Sequence, residues 1–157
     1  LFVEGAGQID DDAVRAFMGD SLALSIFELS GAVEKRDRAT ALAVARRMVR
    51  QGVTDQRGKR VDTVGTVHMA LGSLRTCLQT LWTAHDVASR GGRPEDLKPK
   101  LGARGWLAPE LFKAGQRYRL HELRAAYRAV CNALATMHDT GGDPALAFER
   151  TILAVCG

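Results

Sequence analysis

Apolar positions recur at spacings of three and four residues from one end of the chain to the other, and the two-residue alternation of a half-buried strand is almost absent. That pattern predicts an all-α protein, a helical bundle of about seven or eight helices punctuated by Gly, Pro and Asp. A short first helix is expected after Ile9, where Asp10, Asp11 and Asp12 suit the positive end of a helix dipole, running to Gly19 with Val14, Phe17 and Met18 on its apolar side. Asp20 and Ser21 offer caps for a second helix whose Leu22, Ile26, Leu29 and Val33 make one stripe. The charged run from Glu34 to Arg38 ends it. A third helix is expected from about Arg38 to Gln51, with Leu42, Ala45 and Val49 inward and Arg46, Arg47 and Arg50 facing water; the second and third helices read as a hairpin.

Gly52 to Arg60 is polar and basic without periodicity, which predicts a loop. The strongest element follows. Val64, Val67, Leu71, Leu74, Leu78, Leu81 and His85 alternate spacings of three and four, a heptad seam that persists until Gly91 and Gly92. Pro94 then opens a short helix to Leu101 closed by Gly102, and Pro109 opens another through Leu111, Phe112 and Gly115. Leu120, Leu123, Tyr127, Val130, Leu134 and Met137 mark a long amphipathic helix that stops at Gly141 and Gly142. Asp143 and Pro144 start the last one, with Phe148, Ile152 and Val155 on one face and Leu146 and Leu153 widening it. Apolar residues around more than half of that helix predict a central or an interface position. No repeat of constant length emerges.

Composition narrows the picture. With 157 residues, 46% of them hydrophobic, the chain can bury one core and needs no more than one globular unit. It starts at Leu1 and not at methionine, so a piece of a longer protein is expected. No stretch reaches the roughly 20 apolar residues of a membrane span, and no signal peptide is visible, which points to a soluble protein of the cytoplasm with no membrane partner. Cys77, Cys131 and Cys156 are odd in number and embedded in apolar helical sequence, as reduced core thiols are. The net charge of +4 is mild, and the basic residues are spread along the chain, so a dedicated phosphate-binding patch is not indicated.

Candidate chemistry fails at each position where it could start. Gly58 and Lys59 are followed by Arg60 and lack the Ser or Thr and the flanking strand and helix of a phosphate loop. His121 and Glu122 begin a metalloprotease-like string, but position 125 is alanine where a second histidine is needed. His68, His85 and His138 have no cysteine or carboxylate at ligand spacing, and Asp10 to Asp12 point around a helix start where they would not converge on a metal. Arg46, Arg47 and Arg50 could meet phosphates, although a solvated face on an alanine-rich helix explains them as well. Trp82 and Trp106 suit either a core or a partner contact. No catalytic, cofactor-binding or metal residue is assigned.

The order of several local strings is more informative. IDDDAVRAFMGDSLALSIFELSGAV, over Ile9 to Val33, resembles the helix, Gly-Asp-Ser junction and Ile-Phe-acidic-Leu helix of the delta subunit family of the bacterial DNA polymerase III clamp loader. EKRDRATALAVARRMVRQG is similar to the turn and alanine-leucine-arginine helix that follow in that family. HMALGSLRTCLQTLW is similar to its long collar helix through Leu71, Leu74, Arg75, Leu78 and Gln79, with Leu74 where an aromatic is usual. KLGARGWLAPELFKAGQRYRLHEL is a looser match, and GGDPALAFERTIL resembles the family's ending. The loop Val53 to Val61 departs from the family's Pro-containing connection.

The resemblance implies a subunit whose AAA+-like domain grips and opens the sliding clamp without hydrolysing ATP, followed by a helical lid and a collar. Residues 1–20 would end the lid and residues 21–157 would be the collar, a non-catalytic oligomerisation domain that packs beside the ATPase subunits and delta-prime. The sliding clamp would be met only by the missing N-terminal domain, and DNA through the whole complex, within a holoenzyme that is a DNA-directed DNA polymerase. Arg75, Gln79, Phe148, Glu149, Arg150 and Ile152 are the motif or interface positions that the resemblance implies. The alternative is an unrelated helical nucleic-acid-binding or regulatory scaffold.

Overall fold

Capping chemistry sets where the helices begin. The computed structural model of the chain describes residues 21–137 and 141–157. From Ser21 the order is α1 (Leu22–Glu34), α2 (Arg38–Gln51), β1 (Val53–Thr54), β2 (Arg60–Val61), α3 (Thr63–Ser89), α4 (Pro94–Leu101), a 3-10 stretch (Gly102–Leu107), α5 (Ala108–Gln116), α6 (Leu120–Thr136) and α7 (Pro144–Cys156). The expected first helix, with Asp10 to Asp12, lies outside the described residues, as does His138. The expected division between residues 20 and 21 falls at their edge. The Ser21 hydroxyl oxygen accepts from the Leu24 amide at 3.2 Å, and Asp37, Asp62 and Asp143 accept from Thr40, Gly65 and Ala145 at 3.0, 2.6 and 2.9 Å. Each side chain satisfies an amide that has no acceptor inside its helix.

The described residues are all-α apart from one short hairpin. The expected count of seven or eight bundle helices needs correction among the described residues. Five helices of 13 to 27 residues form the bundle. The shorter α4 and α5, of 8 and 9 residues, make a small separate layer around Leu97, Ala108 and Leu111 at the far end of α3.

The polar loop after α2 is also corrected. Val53 pairs with Val61 and Thr54 with Arg60 in an antiparallel hairpin. Asp55 closes its turn by accepting from the Arg57 and Lys59 amides at 2.8 and 2.9 Å, and Gly58 supplies the left-handed residue at φ 75°. Val53 is buried, which seats the hairpin on the core.

α3, roughly 40 Å long by helical rise, is the axis of the fold. Val67, Leu71, Leu74, Leu78 and Leu81 of the expected seam are fully buried. Its first member, Val64, is exposed, and its last, His85, is half-buried with Nδ1 3.2 Å from the Gly115 carbonyl oxygen. Ala70, Cys77 and Ala84 are buried beside the seam, so α3 is covered on a wider face than a two-stranded coiled coil requires. The inward phase of α2 also differs from the expectation. Ala41, Val44, Ala45 and Met48 are buried, while Leu42 and Val49 pack from the flanks. Small side chains on the stripe let α1 and α7 approach closely, and the larger residues fill the edges. A close approach of the same kind fixes α5 on α3, where a β-carbon on Gly115 would come within 2.8 Å of Ala84 Cβ and of the His85 nitrogen.

A polar clasp joins the turn after α1 to the junction of α5 and α6. α1 closes with Arg36 at φ 58°, the amide of Arg36 bonding the Val33 carbonyl and that of Asp37 bonding the Ala32 carbonyl. This is a Schellman closure with arginine in the place that glycine usually fills. The conformation costs about 1 kcal/mol, and the side chain it aims offsets that cost. The Arg36 guanidinium donates to both Glu122 carboxylate oxygens, at 2.5 and 3.1 Å, and to the Arg117 carbonyl at 3.0 Å. It also lies 5.1 Å from the centre of the Tyr118 ring, and a β-carbon on Gly157 would come within 2.9 Å of it. The end of α7 therefore rests on the clasp.

The buried Tyr118 hydroxyl donates to the Val33 carbonyl at 2.6 Å, and burial pushes its pKa up, so it stays a donor. Tyr118→Phe is expected to cost about 1 kcal/mol, read as a lower urea midpoint at unchanged slope. The cost is moderate because Val33 keeps the Arg36 amide as a second donor.

The Arg36 hydrogen bonds, followed by that from the Arg119 amide, lower the Glu122 pKa from 4.5 to about 2. A depressed carboxylate stabilises the fold above its unfolded pKa, and that contribution is lost as pH falls through the folded value. Glu122→Gln is therefore expected to be less stable than the parent at pH 7. The gap should close between pH 4.5 and about 2 in a series of denaturant midpoints.

Candidate assembly surfaces

The residues with chemical potential are occupied structurally. Burial pushes the Cys77 thiol up to about 12, with the Glu34 carboxylate adding to the shift, and burial also raises Cys156; neither is poised as a thiolate. Glu34 is raised by the same desolvation. Among the described residues no group of three or more His, Cys, Asp or Glu side chains could hold a metal. Of Arg46, Arg47 and Arg50 on α2, the first two pair within the chain, Arg46 with Glu149 at 2.9 Å and Arg47 with Glu28. Arg47 is half-buried, not turned fully to water as the helical pattern predicted.

The six residues implied by the resemblance fall in separate places. Phe148 and Ile152 are fully buried in the core. Glu149 is spent on the ion pair with Arg46, which ties α7 to α2. Arg75 is exposed on α3, and Gln79, one helical turn further, donates from Nε2 to the Tyr127 hydroxyl at 3.1 Å. Tyr127 meets Trp82 edge to face at 6.2 Å, and Arg124 lies 5.8 Å from the centre of the Trp82 ring. These side chains from α3 and α6 make a polar and aromatic face.

Arg150 alone lies on an exposed apolar stripe. Leu146, Arg150 and Leu153 follow one another at spacings of four and three on α7, opposite Phe148, Ile152 and Val155. Leu146 is 49% exposed and Leu153 36%, so the widened apolar face of α7 is not consumed by the bundle. The Arg46–Glu149 pair ties this helix to α2 on its other side. A rigid helix that presents leucines around an arginine has the composition of a protein contact, since leucine-flanked arginine can bury its stem and keep its donors.

Two further aromatics are exposed. Phe27, 76% exposed, stands off the Leu22–Leu29–Val33 stripe of α1, and that offset is the only signal for it in the sequence. Trp106, equally exposed on the 3-10 stretch, is not the core residue that one of its two readings made it. An open groove of about 800 Å³ runs between the first turn of α1 and the hairpin turn, lined by Ser21, Ala23, Ile26, Arg57 and Met69 among others. No described helix is long and apolar enough to cross a membrane.

No family model and no curated protein matches the sequence. The fold is similar to a solved structure of the Bacillus subtilis DNA clamp loader delta protein (YqeN), with a TM-score of 0.68 at 16% identity. The match covers 92% of this chain and 39% of that one, so this chain spans well under half its length. At that identity the likeness is one of fold, and a clamp-loader-like helical fold is what it establishes.

Proposed function

We propose that this chain is the collar-like assembly module of a bacterial clamp loader delta subunit, a non-catalytic domain that packs beside the ATPase subunits and delta-prime in the cytoplasm. One observation carries the reading: the likeness in fold to a clamp loader delta protein extends over 92% of the chain. The ordered strings from Ile9 to Leu153 support it from the sequence side. The outer stripe of α7 and the Gln79–Tyr127 face of α3 and α6 then supply apolar and polar contacts to neighbouring collars. Clamp opening belongs to an AAA+-like domain beyond the residues present, and DNA is met through the assembled complex.

Mixing the chain with the collar regions of the partner ATPase subunits at micromolar concentration tests this reading, with duplex DNA in a parallel titration. Co-elution with the collar regions, and only salt-labile weak binding to DNA, is the expected result. Separate elution with tight DNA binding would transfer the chain to the nucleic-acid class.

A further inference from the structure

α3 and α6 each carry a single carboxylate, and both are engaged away from the face the two helices share: Asp86 pairs with Arg90 at 3.0 Å and Glu122 with Arg36 at 2.5 Å. Neither helix contains a lysine. Arg75, Gln79 and Trp82 follow one another at spacings of four and three on α3, and Tyr127 and Arg128 stand three and four residues after Arg124 on α6, which puts each set on one side of its helix. The Gln79–Tyr127 hydrogen bond at 3.1 Å and the Trp82–Tyr127 ring contact at 6.2 Å bring the two sides together. Arg75, Arg124 and Arg128 are exposed, and none of them takes part in the ion pairs among the described residues.

We propose that this face docks on an acidic surface of a neighbouring collar, whose carboxylates pair with Arg75 and Arg128 around a centre made by Trp82, Tyr127 and Arg124. The inference rests on the collar reading and adds to it the chemistry of the partner. A planar guanidinium takes two oxygens of one carboxylate or phosphate, so charge alone admits an acidic protein surface or a nucleic acid. Two observations decide for the protein. Arginine, tryptophan and tyrosine in the absence of lysine make up the energetic centre of protein interfaces, where lysine is depleted. Trp82 is half-buried against the core and carries Arg124 over its ring, 5.8 Å from the centre, so a base would have to displace that arginine to stack there.

The test uses the full 157-residue chain carrying Trp106→Phe, which leaves Trp82 as its one tryptophan, so that the emission reports on this face. The collar regions of the ATPase subunits and delta-prime are titrated against this parent, against R75E/R128E and against R75K/R128K. The expected result is a shift of Trp82 emission on binding and an affinity weakened by about tenfold or more in R75E/R128E. R75K/R128K should fall between the two, since it keeps the charge and loses the planar fork. Raising salt from about 0.1 to 1 M, which shortens the screening length from about 10 to about 3 Å, should weaken the parent more than R75E/R128E. Arg75 and Arg128 are exposed, so the urea midpoint of R75E/R128E should stay near that of the parent and separate lost docking from lost fold. Full affinity in R75E/R128E, or binding by the parent with no change in Trp82 emission, would overturn this inference and leave the collar reading standing. No binding by the parent would overturn both. Tight binding of a single-stranded oligonucleotide that R75E/R128E abolishes, with collar binding intact, would overturn it in favour of a nucleic acid.

Discussion

Phe148→Ala should destabilise the isolated chain by about 3–5 kcal/mol, seen as a large drop in urea midpoint before any partner is added. Phe148 is fully buried where α7 meets the core, beside Ile152 and Val155. Truncation removes its buried surface and leaves a cavity in a core where Ile152 and Val155 of the same helix are also buried. A loss of partner binding in this variant would follow from unfolding. A midpoint unchanged from the parent would mean that α7 is not packed as described.

The opposite behaviour is expected one residue-face away. Leu146→Glu with Leu153→Glu should cost the fold far less than Phe148→Ala, since Leu146 is 49% exposed and Leu153 36%, against a fully buried Phe148. Binding to the collar regions should weaken by about 100-fold or more, which corresponds to roughly 3 kcal/mol lost when two leucines at a contact are exchanged for charges that must be desolvated. Titration calorimetry reads the affinity and far-UV circular dichroism the fold. Retained affinity would move the contact from α7 to the Gln79–Tyr127 face or to Phe27.

The contrast between Phe148 and Leu146 also shows what the sequence could convey. Helix starts were legible because Ser21, Asp143, Pro94 and Pro144 act on their own neighbours, and a cap needs no distant partner. The α3 seam was legible for the same reason of local periodicity. The hairpin was not, since two-residue strands have no period; its signal was the Asp55 to Gly58 turn, two residues that fix a reversal through side-chain and left-handed backbone chemistry. The phase of α2 slipped because Leu42 and Val49 outweigh alanines on any hydrophobicity scale, while close helix packing selects the alanines. The clasp joins Arg36 to Glu122 across 86 residues, a pairing that no spacing rule reaches. String resemblance in a helical protein follows the order of residues without regard to burial, so it selected the buried Phe148 and Ile152 together with the exposed Arg75 and Arg150.

The most direct measurement of the central claim is sedimentation velocity of the full chain with the collar regions of the ATPase subunits and delta-prime, at micromolar concentration and physiological salt. A clamp-loader collar predicts one faster-sedimenting species that contains this chain, and its loss with the Leu146→Glu, Leu153→Glu chain. Independent boundaries for every component, unchanged on mixing, would contradict it.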